Sequence, residues 1–396
     1  MGNLGVEGRR LTLTSNLHRL IPIAIGLLSP DGGEIQATEI FEMTEATLTY
    51  RAKGLSVRPV PSILRGFSAP VILEQDIDNT RRAFLFAHDS DSFNRWEAGR
   101  DLARDALLDM IENNAAPSAL YLDSLRKVFA DDTLDPAYRA YLQAQPAESD
   151  LARTLAAKGV TPDPDKIHAA SKAFKQAKAD ALKDLLRPIY GANQIDGPFV
   201  PDAEGSGKRA LANSVLSLIT KLDDGTLAQS QFEAANNMTQ QLAALSQLVT
   251  AGKGTEAIQA FYDQWQEDRL VIDKWFSLQV ALADPDDAAE VATALTQHPD
   301  FEMKNPNRFR ATLGALAGNH AGFHHKSGAG YKVLTDWLIK LDDLNPQTTA
   351  RMCSAFQTWK NYDADRQALI KAQLERILAK EGLSRDTSEM ITRILG

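Results

Sequence analysis

His320, His324 and His325 stand close together, and the first two are four residues apart. On a helix that spacing would put two imidazoles on one face, an arrangement able to hold a metal ion. Gly318, Gly322, Gly328 and Gly330 surround them and favour a loop, and no carboxylate stands where a catalytic site needs one. A second candidate, Gly205-Ser206-Gly207-Lys208, copies the tail of a phosphate-binding loop. It lacks the first glycine at the required spacing, a Ser or Thr after the lysine and a preceding strand, so it reads as a linker. Cys353 follows Met352 on an expected helix and reads as a buried thiol rather than a nucleophile. No nucleophile-base pairing stands out.

Two polar groupings suggest binding instead. Arg308 and Arg310 follow Asn305-Pro306, a helix start. A cation near a helix N-terminus is disfavoured by up to about 1 kcal/mol. Arginine there makes sense beside a bound anion such as a peptide carboxylate. The alternative is pairing with a nearby Asp or Glu, and for Arg308 that alternative is preferred. Gln347 and Arg351, on the helix opened by Asn345-Pro346, are four apart and share one face, so both can point into one cavity.

The 396 residues allow two or three domains or one extended repeat array. A net charge of -9 argues against a nucleic-acid partner, since phosphate binding needs clustered Lys and Arg. The single cysteine precludes an intrachain disulfide and fits a reducing compartment. Arg9, Arg10 and Arg19 before the apolar run Leu20–Leu28 loosely copy a secretory leader, but Pro22 and Gly26 interrupt it and no small-x-small site follows. No stretch approaches the roughly 20 apolar residues of a membrane span. The expectation is a soluble, cytoplasmic chain.

The first 78 residues carry strand signals. Ile21, Ile23, Ile25 and Leu27 alternate, Ser29-Pro30-Asp31-Gly32-Gly33 supplies a turn, and Thr47–Tyr50 and Val71–Leu73 add β-rich runs. Pro59-Val60-Pro61 suits an edge strand. Leu11–Thr14 is a further strand candidate, with nothing upstream that pairs convincingly. This predicts a small antiparallel β-sandwich over 1–78, incomplete at its start. From 79 to 396 the pattern is helical, with starts marked by Asp135-Pro136, Asp163-Pro164, Asp284-Pro285, Asn305-Pro306 and Asn345-Pro346. A mainly α chain follows: a superhelical array of helical hairpins, with Gly191–Gly207 its longest loop. The five tryptophans fall in helical segments and are expected in packing.

Several blocks carry a family resemblance. They are Pro59–Pro70 (PVPSILRGFSAP), Asp91–Ala98 (DSFNRWEA), Phe232–Thr239 (FEAANNMT), Val271–Phe276 (VIDKWF), Asn305–Arg310 (NPNRFR) and Gly314–Gly318 (GALAG). In order and spacing they resemble bacterial aminopeptidase N, a zinc metallopeptidase family, from about His18 to the C-terminus. Residues 1–16 match no part of it. Family members have an N-terminal β-domain, a thermolysin-like zinc domain, a small β-sandwich and a C-terminal helical superhelix, and this chain looks like the last two.

The resemblance implies zinc in the intact parent enzyme, held by His-Glu-x-x-His with a further Glu. Here the histidines are His18, His88, His168, His298, His320, His324 and His325, and none is followed by Glu. The Gly-x-Met-Glu-Asn amine-binding motif is missing too. The expectation is therefore no catalytic residue, no metal ligand and no cofactor in this chain. The resemblance further implies that the helical part encloses the substrate chamber, with Arg310, Gln347 and Arg351 lining it. Expected partners are peptides and the catalytic half of aminopeptidase N, linked covalently or docking in trans. A free-standing helical-array module that binds peptides or a protein is the alternative.

Overall fold

The computed structural model describes residues 5–7, 10–14 and 20–396; Arg9, His18 and Arg19 lie outside them. Six strands come first: β1 (Gly5–Glu7), β2 (Arg10–Thr14), β3 (Ile21–Leu28), β4 (Glu34–Met43), β5 (Thr47–Arg51) and β6 (Val60–Ile63). They form two antiparallel sheets, ordered β1-β2-β5 and β4-β3-β6. Leu13, Ile21, Ile23, Ile25, Leu27 and Ile63 share one core. The β3–β4 turn uses Gly32 at φ +96°, a region open to glycine.

Three strand expectations change. Leu11 does find an upstream partner, because β1 pairs with β2 in the register Val6↔Leu11. Val71–Leu73 is not a strand: Pro70 brings no N–H, and the Val71 N–H closes a tight turn onto the Ala69 carbonyl at 2.9 Å. Nor does β3 alternate between core and solvent, since Ala24 and Leu28 are as buried as the isoleucines. Its second face is covered by Arg65. A Cβ on Gly26 would lie 2.1 Å from the Arg65 guanidinium carbon, so the glycine is what lets that side chain lie flat on the strand.

Helices follow. The first four are α1 (Asn79–His88), α2 (Ser92–Asn113), α3 (Ala119–Ala130) and α4 (Pro136–Leu142). Next come α5 (Glu148–Ala157), α6 (Pro164–Ala192), α7 (Ala203–Asp223), α8 (Thr226–Ala234), α9 (Met238–Thr250) and α10 (Thr255–Trp265). The series continues with α11 (Arg269–Ala281), α12 (Ala288–Leu295), α13 (Pro306–Phe309), α14 (Ala315–Gly318) and α15 (His320–Phe323). It closes with α16 (Ala329–Asp342), α17 (Pro346–Met352), α18 (Ala364–Leu378) and α19 (Arg385–Leu395). Asp135, Asp163, Asn305 and Asn345 cap their helices as their sequence predicts, each followed by Pro. Asp284-Pro285 does not. It opens a turn in which the Asp284 carbonyl accepts from Asp287 and Ala288, and α12 starts only at Ala288.

The long loop also shrinks. Residues 193–202 connect α6 to α7, and Gly205-Ser206-Gly207-Lys208 lies in the first turns of α7 rather than in a linker. The Asp202 carboxylate caps the Gly205 N–H at 2.6 Å, and Lys208 pairs with Glu204 one turn back, which together start the helix despite its glycines.

Compactness divides the chain into Met1–Pro146 and Ala147–Gly396. Within the first unit, Arg65 joins the sandwich to the helices that follow. Its guanidinium donates to Ser62, Glu34, Thr38 and Asp89 at 2.6–3.2 Å. Alongside, Asn94 donates to Ser62 and the Ile63 carbonyl, and the Gly66 N–H meets Asp91. The first two resemblance blocks are therefore two halves of one buried joint. The second unit has its own core, in which Phe261, Phe276, Phe309, Phe323, Tyr331 and Phe356 are fully buried. Trp275 and Trp359 are buried, while Trp96, Trp265 and Trp337 are half-buried. Among the described residues no helix is long and apolar enough to cross a membrane.

Candidate functional site

Asn305 caps α13 through the Asn307 and Arg308 N–H groups, which fixes the direction of the two arginines that follow. Arg308 turns inward. It is 4% exposed, pairs with Asp273 at 2.6 Å, donates to the Asp300 carbonyl and lies over the Phe276 ring at 4.6 Å. This is the packing role preferred for it, and it joins the Val271–Phe276 and Asn305–Arg310 blocks. Arg310 turns outward. Its guanidinium folds back onto the Pro306 carbonyl at 3.1 Å and the Asn307 side chain at 2.7 Å. Among the described residues it has no ion pair.

Arg310 opens a π-turn, Arg310–Gly314, between α13 and α14. One extra residue per turn rotates the outward face, a device common where a side chain must be re-aimed. The groove beside it, about 600 Å³, is lined by Leu242, Leu270, Asp273, Lys274, Leu278 and Arg310 among others. Exposed apolar Leu270 thus stands with cationic side chains in one open trough.

Gln347 and Arg351 are exposed on α17 and line a second groove of about 450 Å³ with Asp386, Glu389 and Arg393 of α19. Arg351, Asp386, Glu389 and Arg393 form no ion pair among the described residues. The three predicted site residues therefore line two grooves rather than one. The first groove offers the Arg310 guanidinium and the second those of Arg351 and Arg393, none of them in an ion pair among the described residues.

The histidines form a third feature that sequence spacing hinted at but misplaced. His320 and His324 sit at either end of α15, half helix and half turn, with rings 5.1 Å apart. His320 Nε2 is hydrogen-bonded to the Tyr362 hydroxyl at 3.1 Å and His324 Nδ1 to Tyr331 at 2.8 Å. The His324 ring also stacks on Tyr362 at 4.1 Å. Burial pushes the His320 imidazole down to about 4, with Glu148 opposing the shift and Arg366 and His168 adding to it. Burial likewise drives His324 well below its ordinary value, helped by His320 and Arg366. Both are neutral hydrogen-bonding groups at pH 7. His325 turns away to Asp286 at 3.1 Å. Among the described residues no three His, Cys, Asp or Glu side chains converge as a metal site requires, so zinc has no fitting ligand set there. Cys353 is fully buried, and burial pushes its thiol up to about 12, which leaves it inert.

Residues 12–76 match a domain of unknown function (DUF3458) with an Ig-like fold, and residues 79–396 match DUF3458_C, a domain of unknown function built of ARM repeats. The chain belongs to the DUF3458 family. Its DUF3458 region is homologous to the C-terminal part of aminopeptidase N. Identity to aminopeptidase N of Caulobacter vibrioides is 42% over 383 residues, covering 94% of this chain and 44% of that protein. Against aminopeptidase N of Escherichia coli it is 34% over 394 residues, covering 95% and 44%. Among solved structures, Legionella pneumophila aminopeptidase A in complex with aspartic acid superposes with a TM-score of 0.85 at 28% identity. That match covers all of this chain and 48% of the other. The DUF3458 chain thus spans about half the length of the relatives it matches.

Proposed function

We propose that this chain is the peptide-enclosing, non-hydrolytic portion of a zinc aminopeptidase. The observation that carries the reading is its match to the C-terminal part of aminopeptidase N across both sandwich and helical repeats, while none of its histidines stands in a His-Glu-x-x-His motif. In the parent enzyme zinc would polarise the scissile carbonyl and activate water. No step of that chemistry passes through residues of this chain. Its part is to hold peptide: Arg310 in one groove and Arg351 with Gln347 in the other offer charge-assisted hydrogen bonds to a carboxylate or carbonyl. The apolar floor around Leu270 and Leu278 takes an aliphatic side chain. The partner is the catalytic half, covalently joined or docked in trans, and the lone buried thiol suits the cytoplasm.

Fluorescence anisotropy of labelled tri- and tetrapeptides tests the peptide-holding role. Arg310→Ala and Arg351→Ala should each weaken binding about tenfold, the loss of one charge-assisted hydrogen bond. Unchanged binding in both variants would remove these residues from the chamber.

A further inference from the structure

The two grooves differ in charge. In the second, the guanidinium groups of Arg351 and Arg393 share the lining with the carboxylates of Asp386 and Glu389, which leaves no net charge. In the first, Asp273 is the one carboxylate in the lining, and Arg308 already meets it at 2.6 Å. Lys274 and Arg310, both exposed, remain as uncompensated cations. Lys274 makes no hydrogen bond or ion pair among the described residues. Arg310 spends Nε and Nη2 on Pro306 and Asn307 and keeps Nη1 unspent.

The apolar part of the first groove is built around the lysine. Leu270 and Leu278 stand four residues before and four after Lys274 on α11, so the three share one face at intervals of about one turn. Leu278 is 9% exposed and belongs to the floor, whereas Leu270 is 70% exposed and waits to be covered. Leu242 of α9 adds to the same lining.

We propose, building on the peptide-holding role, that this groove seats the carboxyl-terminal residue of a short peptide. Its free carboxylate lies against Lys274 and Arg310, and an aliphatic side chain lies against Leu270 and Leu278. A terminal residue carries both groups on one Cα, so positions a single turn apart can meet them together. A glutamate inside a peptide offers a different shape, because its neighbours in an extended chain point to the opposite face. An amino terminus is repelled by the two cations, so the other end of the peptide leads away from this groove.

Fluorescence anisotropy with tetrapeptides labelled at the amino end and closing in leucine tests the assignment, each made as free acid and as carboxamide. In the wild-type chain amidation should weaken binding by about tenfold or more, the loss of a charge-assisted contact. Replacing the final leucine by glycine should weaken it by roughly fivefold or more. Lys274→Met should weaken the acid by about tenfold and leave the amide unchanged. Leu270→Ser should erase the preference for leucine over glycine. Both positions are exposed, so neither change strains the fold. Equal binding of acid and amide by the wild type, with Arg351→Ala still weakening both, overturns the carboxyl-end assignment and leaves peptide holding intact. An amide with an internal glutamate that binds as tightly as the free acid overturns it too, in favour of an acidic side chain. Failure of the wild type to bind any of the peptides removes the peptide-holding role and this assignment together.

Discussion

Arg65 in the first unit and Arg310 in the second are both surrounded by polar atoms, yet they do opposite work. Arg65 is 5% exposed and meets Ser62, Glu34, Thr38 and Asp89, so its charge is consumed in joining the sandwich to the helices of the same unit. Arg310 is exposed, touches only acceptors of its own helix start and has no ion pair among the described residues. Arg308 makes the point within two residues: buried and bound to Asp273, it belongs with Arg65. An arginine is available to a ligand when its partners are few and local. The same residue type, ringed by distant acceptors, is structure.

The sharpest way to break this comparison is to remove the buried joints. Arg65→Ala should destabilise the chain by about 3–5 kcal/mol, because it strands Asp89, which is 1% exposed, without its countercharge. Urea denaturation with unchanged m-value checks it. Arg308→Ala should fall in the same class by stranding Asp273. A loss under about 1 kcal/mol in either would mean that these charges belong with Arg310 after all.

Acid gives the next effect. His320 has a folded value near 4, below its ordinary value of 6.5, so between those pH values the unfolded chain binds more protons and stability falls as pH drops. The loss approaches about 3 kcal/mol by pH 4 for His320 alone. His324 adds to it over the same range and further down. His168 has the opposite sign: its raised value contributes stability in acid that is lost as pH rises through it. Denaturation midpoints between pH 7 and 4 should therefore decline, and less steeply in His320→Gln.

The smallest effect is expected at the grooves. Arg310→Ala and Arg351→Ala should change stability by less than about 0.5 kcal/mol, as exposed side chains do. Peptide binding, not the melting transition, is where they should show.

Much of the fold was legible because its signals are local. The Asx-Pro caps at Asp135, Asp163, Asn305 and Asn345 act within one turn, and the alternating isoleucines of β3 state their own period. What escaped depends on distant partners. Gly26 looks like an interruption of that strand until Arg65 is seen lying across it. Asp284-Pro285 has the form of a cap, but the turn of residues 285–287 separates Asp284 from α12. The histidine cluster gathers Glu148, His168, the His320–His324 pair and Tyr362 from four places in the chain, so the spacing of His320 and His324 showed only a fragment of it. The π-turn after Arg310 leaves no mark in residue type. Where Arg310, Gln347 and Arg351 point could not be read from sequence, because it turns on which grooves the packed helices leave open.

Metal content and turnover measured on one preparation of the purified chain test the reading of function most directly. After incubation with zinc and desalting, the account predicts well under one equivalent of bound metal and no release of chromophore from an alanyl p-nitroanilide. One equivalent of tightly held zinc with sustained, chelator-sensitive turnover would contradict it.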